Sequence, residues 1–222
     1  MKKTATLIVV FLAFICAVFV FRSALLKYAI ESALARGGCS AVVKKTGINP
    51  DLSIWLEGLD AQGKGNIGFY ASGGNIKLEF KDFWKKGLRI KFDLRDVSIP
   101  RDRCGIMGKI LNAVSLPDTG VLEFSSVNGT LYKRPGRFTV GSFNADGELI
   151  RIKADGVMDE KLADYRITLL FSRLLVARIP EVISKVFFKQ SGDWFEADIE
   201  ITGSLSEPAI NFRTELFSLN VR

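Results

Sequence analysis

The sequence predicts a mainly β fold: an N-terminal transmembrane helix, then a curled antiparallel sheet (a half-barrel or groove) with two short amphipathic helices. Three observations carry this. Residues 4–21 read TATLIVVFLAFICAVFVF, without a charge, a glycine or a proline. From Ser40 onward apolar residues recur at every second position rather than every third or fourth. Gly, Asn and Pro punctuate the chain at hairpin spacing.

As a helix rising about 1.5 Å per residue, the apolar run spans about 27 Å, close to the ~30 Å hydrocarbon core of a bilayer. Lys2 and Lys3 precede it and Arg22 follows. Thr4, Leu7, Phe11, Phe14, Phe19 and Phe21 are its candidate anchor residues. The alternative is the apolar region of a secretory signal, which needs small residues just after its core. Val18-Phe19-Val20-Phe21-Arg22 stands there instead, and Ile15 precedes Cys16 where lipoprotein processing wants a small residue. Both readings export the remainder. Lys2, Lys3 and the α-amino group against Arg22 and Lys27 lean slightly towards a cytoplasmic N-terminus, hence a single-pass protein with its bulk exported.

Ser23 to Arg36 is helical in pattern: Leu25, Leu26, Ala29, Ile30, Ala33 and Leu34 recur at helical spacing. It continues the membrane helix into the interface or forms a plain stalk, and Gly37-Gly38 ends it. Residues 1–36 are therefore one unit, anchor and juxtamembrane helix. Residues 39–222 form the other, a single β-rich domain.

Leu52–Leu56 and Ile76–Phe80 alternate, and Leu88, Ile90, Phe92 and Leu94 against Arg89, Lys91, Asp93 and Arg95 form the clearest strand. The phase then slips, with Val97 and Ile99 apolar, as a bulge at Arg95-Asp96 would produce. Further runs are Val121–Val127, Arg137–Phe143, Glu148–Asp155, Asp164–Ser172, Asp193–Thr202 and Ala209–Leu216. Gly58, Gly73-Gly74, Asn128-Gly129, Pro135-Gly136, Asp146-Gly147, Gly192 and Gly203 read as the turns between them. The two amphipathic helices are marked by Ile106, Met107, Ile110, Leu111 and Val114, and by Val182, Ile183, Val186 and Phe187 behind Pro180.

The formal net charge of +7 is concentrated at the N-terminus. Lys2, Lys3, Arg22, Lys27 and Arg36 face only Glu31 there, a distribution that suits anionic headgroups rather than nucleic acid. Histidine is absent, which removes the commonest general base and the usual zinc ligand. No catalytic residue, cofactor site or metal site is expected, and the chain is not read as an enzyme. Glu196, Asp198 and Glu200 line one strand face, which a solvated outer surface explains. Gly63-Lys64-Gly65-Asn66 lacks the full spacing of a phosphate loop and reads as a turn. Of three cysteines, Cys16 lies in the apolar run, leaving Cys39 and Cys104 as a candidate disulfide or two unpaired thiols.

One apolar side on every strand admits two uses: packing on itself and the helices, or lining a trough for acyl chains. The candidate lining is Leu88, Ile90, Phe92, Leu94, Ile150, Ile152, Ile167, Leu169, Phe171, Phe195, Ile199 and Ile201.

The order of features resembles the AsmA-like family, bacterial members of the repeating β-groove group that includes TamB. The resemblance rests on the N-terminal membrane helix followed by Leu25-Leu26-Lys27-Tyr28-Ala29-Ile30-Glu31-Ser32-Ala33-Leu34. It rests further on Phe143–Leu149, Ala154–Asp159, Asp164–Leu169 and the closing Ile199-Glu200-Ile201-Thr202-Gly203-Ser204-Leu205-Ser206-Glu207-Pro208-Ala209-Ile210, with its Gly-x-Leu-x-x-Pro turn. It implies a non-enzymatic envelope protein, anchored in the inner membrane with its bulk in the periplasm, that binds or passes lipid acyl chains along a β-groove, with membrane lipids as partners. The N protein of type II secretion has a similar anchor and β-rich export domain. That likeness implies the alternative, a scaffold or assembly subunit with a self-filled core and protein partners.

Overall fold

A computed structural model describes residues 23–36, 38–63, 67–81, 87–104, 120–159, 162–177, 179, 181, 184–185, 188–204, 208–213 and 218–221. The expected membrane run at 4–21 and the expected helix at 106–114 lie outside the described residues. Among those residues no helix is long and apolar enough to cross a membrane.

Helix α1 (23–36) leads into strands β1 (Ser40–Ile48), β2 (Ile54–Gly63), β3 (Ile67–Lys81) and β4 (Gly87–Pro100). After a 3-10 turn at Arg101–Arg103 come β5 (Val121–Arg134), β6 (Arg137–Asp146), β7 (Ile150–Asp159) and β8 (Leu162–Ser172). Helix α2 (Arg173–Val176), β9 (Lys189–Ser191), β10 (Trp194–Ser204), β11 (Pro208–Arg213) and β12 (Ser218–Val221) complete the order. The strands form one 12-stranded sheet in sequence order, β9 and β11 sharing the far side of β10. Every pairing is antiparallel, and β1 and β12 do not pair, so the sheet is open. The mainly β antiparallel expectation is met.

α1 ends as its glycines predict. Gly38 takes φ 82°, its amide donates to Ala35 O, and the Cys39 amide reaches back to Leu34 O. That is a Schellman close, and it turns the chain into β1. α1 then lies along the open side of β1, antiparallel to it. Glu31 Oε1 accepts from Val43 N at 3.0 Å, and Ser23 Oγ donates to Thr46 O at 2.6 Å. Ile30 packs on the core between them. The helix is therefore not a free stalk over its described length; it covers a strand edge that would otherwise be free to pair.

The phase slip at Arg95-Asp96 is present, but it is wider than one bulge. Val43, Leu59, Ala71, Val97 and Phe124 are directly opposed across β1–β5 and all buried. Three residues along each strand, Thr46, Leu56, Gly74, Leu94 and Val127 form a second opposed row, also buried. Residues three apart in a regular strand face opposite sides. All five strands therefore slip at one level, through left-handed backbone at Gly58 (φ 64°) and Asp96 (φ 47°) in two of them. Because neighbours slip together, the register across β1–β5 does not shift. Ser72 Oγ bonds Asp96 Oδ2 at 2.7 Å along this crease.

Four expected turns are corrected. Gly58, Gly73-Gly74, Asn128-Gly129 and Gly203 lie inside β2, β3, β5 and β10. Gly58 serves the crease. A Cβ on Gly74 would lie 2.5 Å from Asp93 O and 2.7 Å from Leu94 Cδ2, so this glycine makes room for a neighbour's side chain. Pro135-Gly136, Asp146-Gly147 and Gly192 do lie where the chain reverses between strands.

Candidate functional site

The site is the apolar face. With the end carrying the β1–β2, β3–β4, β5–β6 and β7–β8 reversals taken as the lower one, its rows run straight across the strands. One row is Thr46, Leu56, Gly74, Leu94, Val127, Ala145, Ile152, Leu169 and Ala197, spanning β1 to β10. Directly below it run Ile48, Ile54, Ile76, Phe92, Gly129, Phe143, Ala154, Ile167 and Ile199. Lower still come Leu78, Ile90, Leu131, Val140, Gly156, Tyr165 and Ile201. The last apolar row holds Phe80, Leu88, Phe138, Met158 and Ala163, interrupted by Lys133.

All twelve lining candidates fall on this one face, in these rows or in the top row Ile150, Phe171, Phe195. Their environments differ. Leu94, Ile150, Ile152, Leu169, Phe171 and Ile199 are buried, whereas Leu88, Ile90, Phe92, Ile167, Phe195 and Ile201 are half-buried. Down β3 the exposure climbs from 0 % at Ala71 to 42 % at Leu78 and 76 % at Phe80. The upper part is filled and the lower part reaches solvent.

The filling at the top comes partly from α2 and the chain after it. Leu175, Val176, Ile179 and Phe188 are buried in the same cluster, and the Phe188 ring meets Phe171 edge-on at 5.1 Å. Helical structure appears at Glu181 and at Ser184 and Lys185, with Phe188 N bonded to Ser184 O; Val182, Ile183, Val186 and Phe187 lie outside the described residues. Leu175 and Val176 carry no periodic signal, since a helix this short completes barely a turn. A shallow cleft of about 90 Å³ between Val121–Phe124 and Glu148–Ile150 lies at this end. It is well under the ~300 Å³ of an ordinary ligand pocket.

Polar groups on the apolar face are few. Thr46, 1 % exposed, satisfies its hydroxyl by donating to Trp55 O at 2.7 Å. Tyr165 stands among apolar neighbours, and burial pushes its phenol pKa up. The outer face is ionic. Glu79 accepts from Lys91 Nζ at 2.9 Å and from Arg89 at 3.4 Å, and the Arg89 guanidinium lies over the Tyr132 ring. The Lys91 hydrogen bond, then the Lys91 and Arg89 charges, hold Glu79 below the usual carboxylate range against the opposing effect of desolvation. Asp198 accepts from Thr168 Oγ1 at 2.7 Å and Glu200 faces Arg166. Two of the three carboxylates on β10 are thus engaged by β8, and among the described residues no cluster of potential metal ligands occurs.

The candidate disulfide is not formed. Cys39 and Cys104 are both free thiols. Cys39 Sγ lies beside Gly63, which pairs with Ile67, which bridges to Cys104. Three strand spacings separate the cysteines along the sheet, about 14 Å, where a bridge needs Cα atoms within ~7 Å. Burial raises the Cys104 pKa, and its Sγ donates to Pro100 O at 3.4 Å.

No protein-family model matches the chain, and no curated protein or solved structure matches it.

Proposed function

We propose that this chain is a membrane-anchored, non-enzymatic envelope protein whose sheet curls into a trough that binds or passes lipid acyl chains. The observation that carries the reading is the exposure gradient on β3, from Ala71 buried to Phe80 largely in solvent, along a face that stays apolar across the sheet. A flat single layer would leave such a face wet throughout. Residues at 0 % exposure, such as Val43, Phe171 and Ile199, therefore favour a curled one. Half-buried apolar rows in its lower part suit a chain-like apolar ligand better than a compact one. The uncharged run at 4–21 makes bilayer lipid the nearest abundant source, and the AsmA-like resemblance points the same way. On this reading the anchor sits in the inner membrane and the sheet in the periplasm.

A second reading has its own support. The upper rows are closed by side chains of the protein itself, as a scaffold or secretion-assembly subunit with a filled core would have them. Native mass spectrometry of the full chain in mild detergent separates the two. Co-purifying phospholipid, reduced in Leu78→Glu and Ile90→Glu, supports the trough. No phospholipid, together with one stoichiometric protein partner, supports the scaffold and sinks the lipid proposal.

A further inference from the structure

We propose that the lower rim of the sheet docks on an anionic phospholipid surface. Phe80 and Leu162 would enter the acyl boundary there, while Lys133, Arg134 and Arg137 pair with headgroups. The rim row is Arg134, Arg137 and Asp159, in direct register on β5, β6 and β7, followed by the pair Leu162 and Ser204 on β8 and β10. One step inside it lie Phe80 on β3 and Lys133 on β5. Phe80 is 76 % and Leu162 56 % exposed, and both stand at strand ends, Phe80 paired with Leu88 and Leu162 with Ser204.

Charge picks the occupant. Arg134 and Arg137 are directly paired across the β5–β6 reversal, so two like charges face each other where an outside anion would relieve them. Lys133, Arg134 and Arg137 are all exposed, and none has an ion-pair partner among the described residues. Among the described residues the acidic groups nearby are Asp159, whose Oδ1 is engaged by Leu162 N, and Asp164 on the next row but one. The upper end also exposes apolar side chains, Ile67, Val121, Leu149 and Leu174. Exposed Glu123 and Glu148 stand beside two of these and exposed Arg173 beside Leu174, so the charge there is mixed, whereas the exposed cations of the lower rim stand together.

Chain direction picks the same end. Ser23 bonds Thr46 O in the lower half of β1, and α1 runs upward from there. α1 thus starts three rows above Phe80 and rises away from the rim, so its N-terminal end is the one nearer the rim. Aromatic and aliphatic side chains beside basic ones are what an interfacial surface requires. The inference shares the membrane anchor with the proposed function but does not need an occupied trough.

The test uses the full chain in nanodiscs, its three cysteines replaced by alanine, with an environment-sensitive dye on Leu162→Cys or, as the upper-end control, Glu148→Cys. Doxyl-labelled lipid in a phosphatidylglycerol-containing bilayer should quench the dye at 162 several-fold more than at 148. The difference should shrink in pure phosphatidylcholine, at high salt, and in Arg134→Glu/Arg137→Glu. Equal quenching at the two positions overturns the proposal, as does quenching at 162 that ignores bilayer charge and salt. The lipid and salt arms need no charge variant, so they decide the matter even where the double variant misfolds. Native mass spectrometry reads trough occupancy separately, and either result can fail alone.

Discussion

The Phe92 ring on β4 lies across Gly129 on β5, and Gly129 in turn faces Phe143 on β6, whose ring centre is 6.3 Å from that of Phe92. A Cβ on Gly129 would stand 2.7 Å from Phe92 Cζ and 2.6 Å from Ser142 O. The glycine is therefore a gap that one aromatic fills to reach another, not a break in the strand.

Gly129→Ala should accordingly destabilise by about 1–3 kcal/mol, the range for overpacking. Phe92→Leu in the same background should recover part of the loss, because the ring end is one of the two groups met, the other being the Ser142 carbonyl. Chemical denaturation of the four chains of that double-mutant cycle measures both. Additive losses would mean that ring and glycine do not share the space.

The exposure gradient along the apolar face predicts a gradient of cost. Phe171→Ala removes a ring that is 0 % exposed and set edge-on against Phe188, and should cost about 3–5 kcal/mol. Phe80→Ala, on the same face but 76 % exposed, should stay within about 0.5 kcal/mol. Denaturation midpoints decide this. Comparable losses would show that the lower face is packed in solution.

Much of this architecture is legible in the residues alone. Strict alternation over Leu88–Leu94 places β4, its inward side chains and the phase slip, because burial on one face forces a period of two. Glycine misleads at Gly74 and Gly129 for a physical reason. Local sequence shows a residue without a Cβ, but only the opposing strand shows Leu94 or Phe92 needing that space. The crease is legible in β4 alone; its alignment over five strands depends on register, which no single strand encodes. The docking of α1 is hidden too, since Glu31 looks like any solvent-facing helix residue until Val43 N lies opposite it.

The pairing of Glu79 gives a pH dependence. Its carboxyl is held below the ordinary 4.5, chiefly by the Lys91 hydrogen bond. A carboxylate with a depressed folded pKa contributes stability above its unfolded pKa and loses it as pH falls through the folded one. Lys91→Met should move the Glu79 titration back towards 4.5 in carbon-detected NMR and shift acid unfolding to slightly higher pH. The stability change should be small because the pair is partly exposed and screened. An unmoved titration would mean that Arg89 alone sets the shift.

The thiols predict redox indifference. With Cys39 and Cys104 three strand spacings apart and both free, reductant should leave the thermal midpoint unchanged. Burial also holds the Cys104 thiol protonated, so it should react with a thiol reagent more slowly than half-buried Cys39. A reductant-sensitive midpoint would require the upper end of the sheet to rearrange.

Glu31 tests whether α1 guards the edge. Its Oε1 accepts the Val43 amide of the outermost strand, and Ser23 donates to Thr46 O on the same strand. Glu31→Ala leaves that amide without its acceptor and should cost about 1–3 kcal/mol, whereas Glu31→Gln keeps an acceptor and should cost less. The larger consequence is kinetic and collective. An uncovered β1 offers unpaired amides and carbonyls to a second copy, so Glu31→Ala should also self-associate in light scattering at concentrations where Glu31→Gln stays dispersed. Loss of stability without self-association would make the bond a local contact only. Self-association in both variants would place the guard in helix packing, through Ile30, rather than in the hydrogen bond.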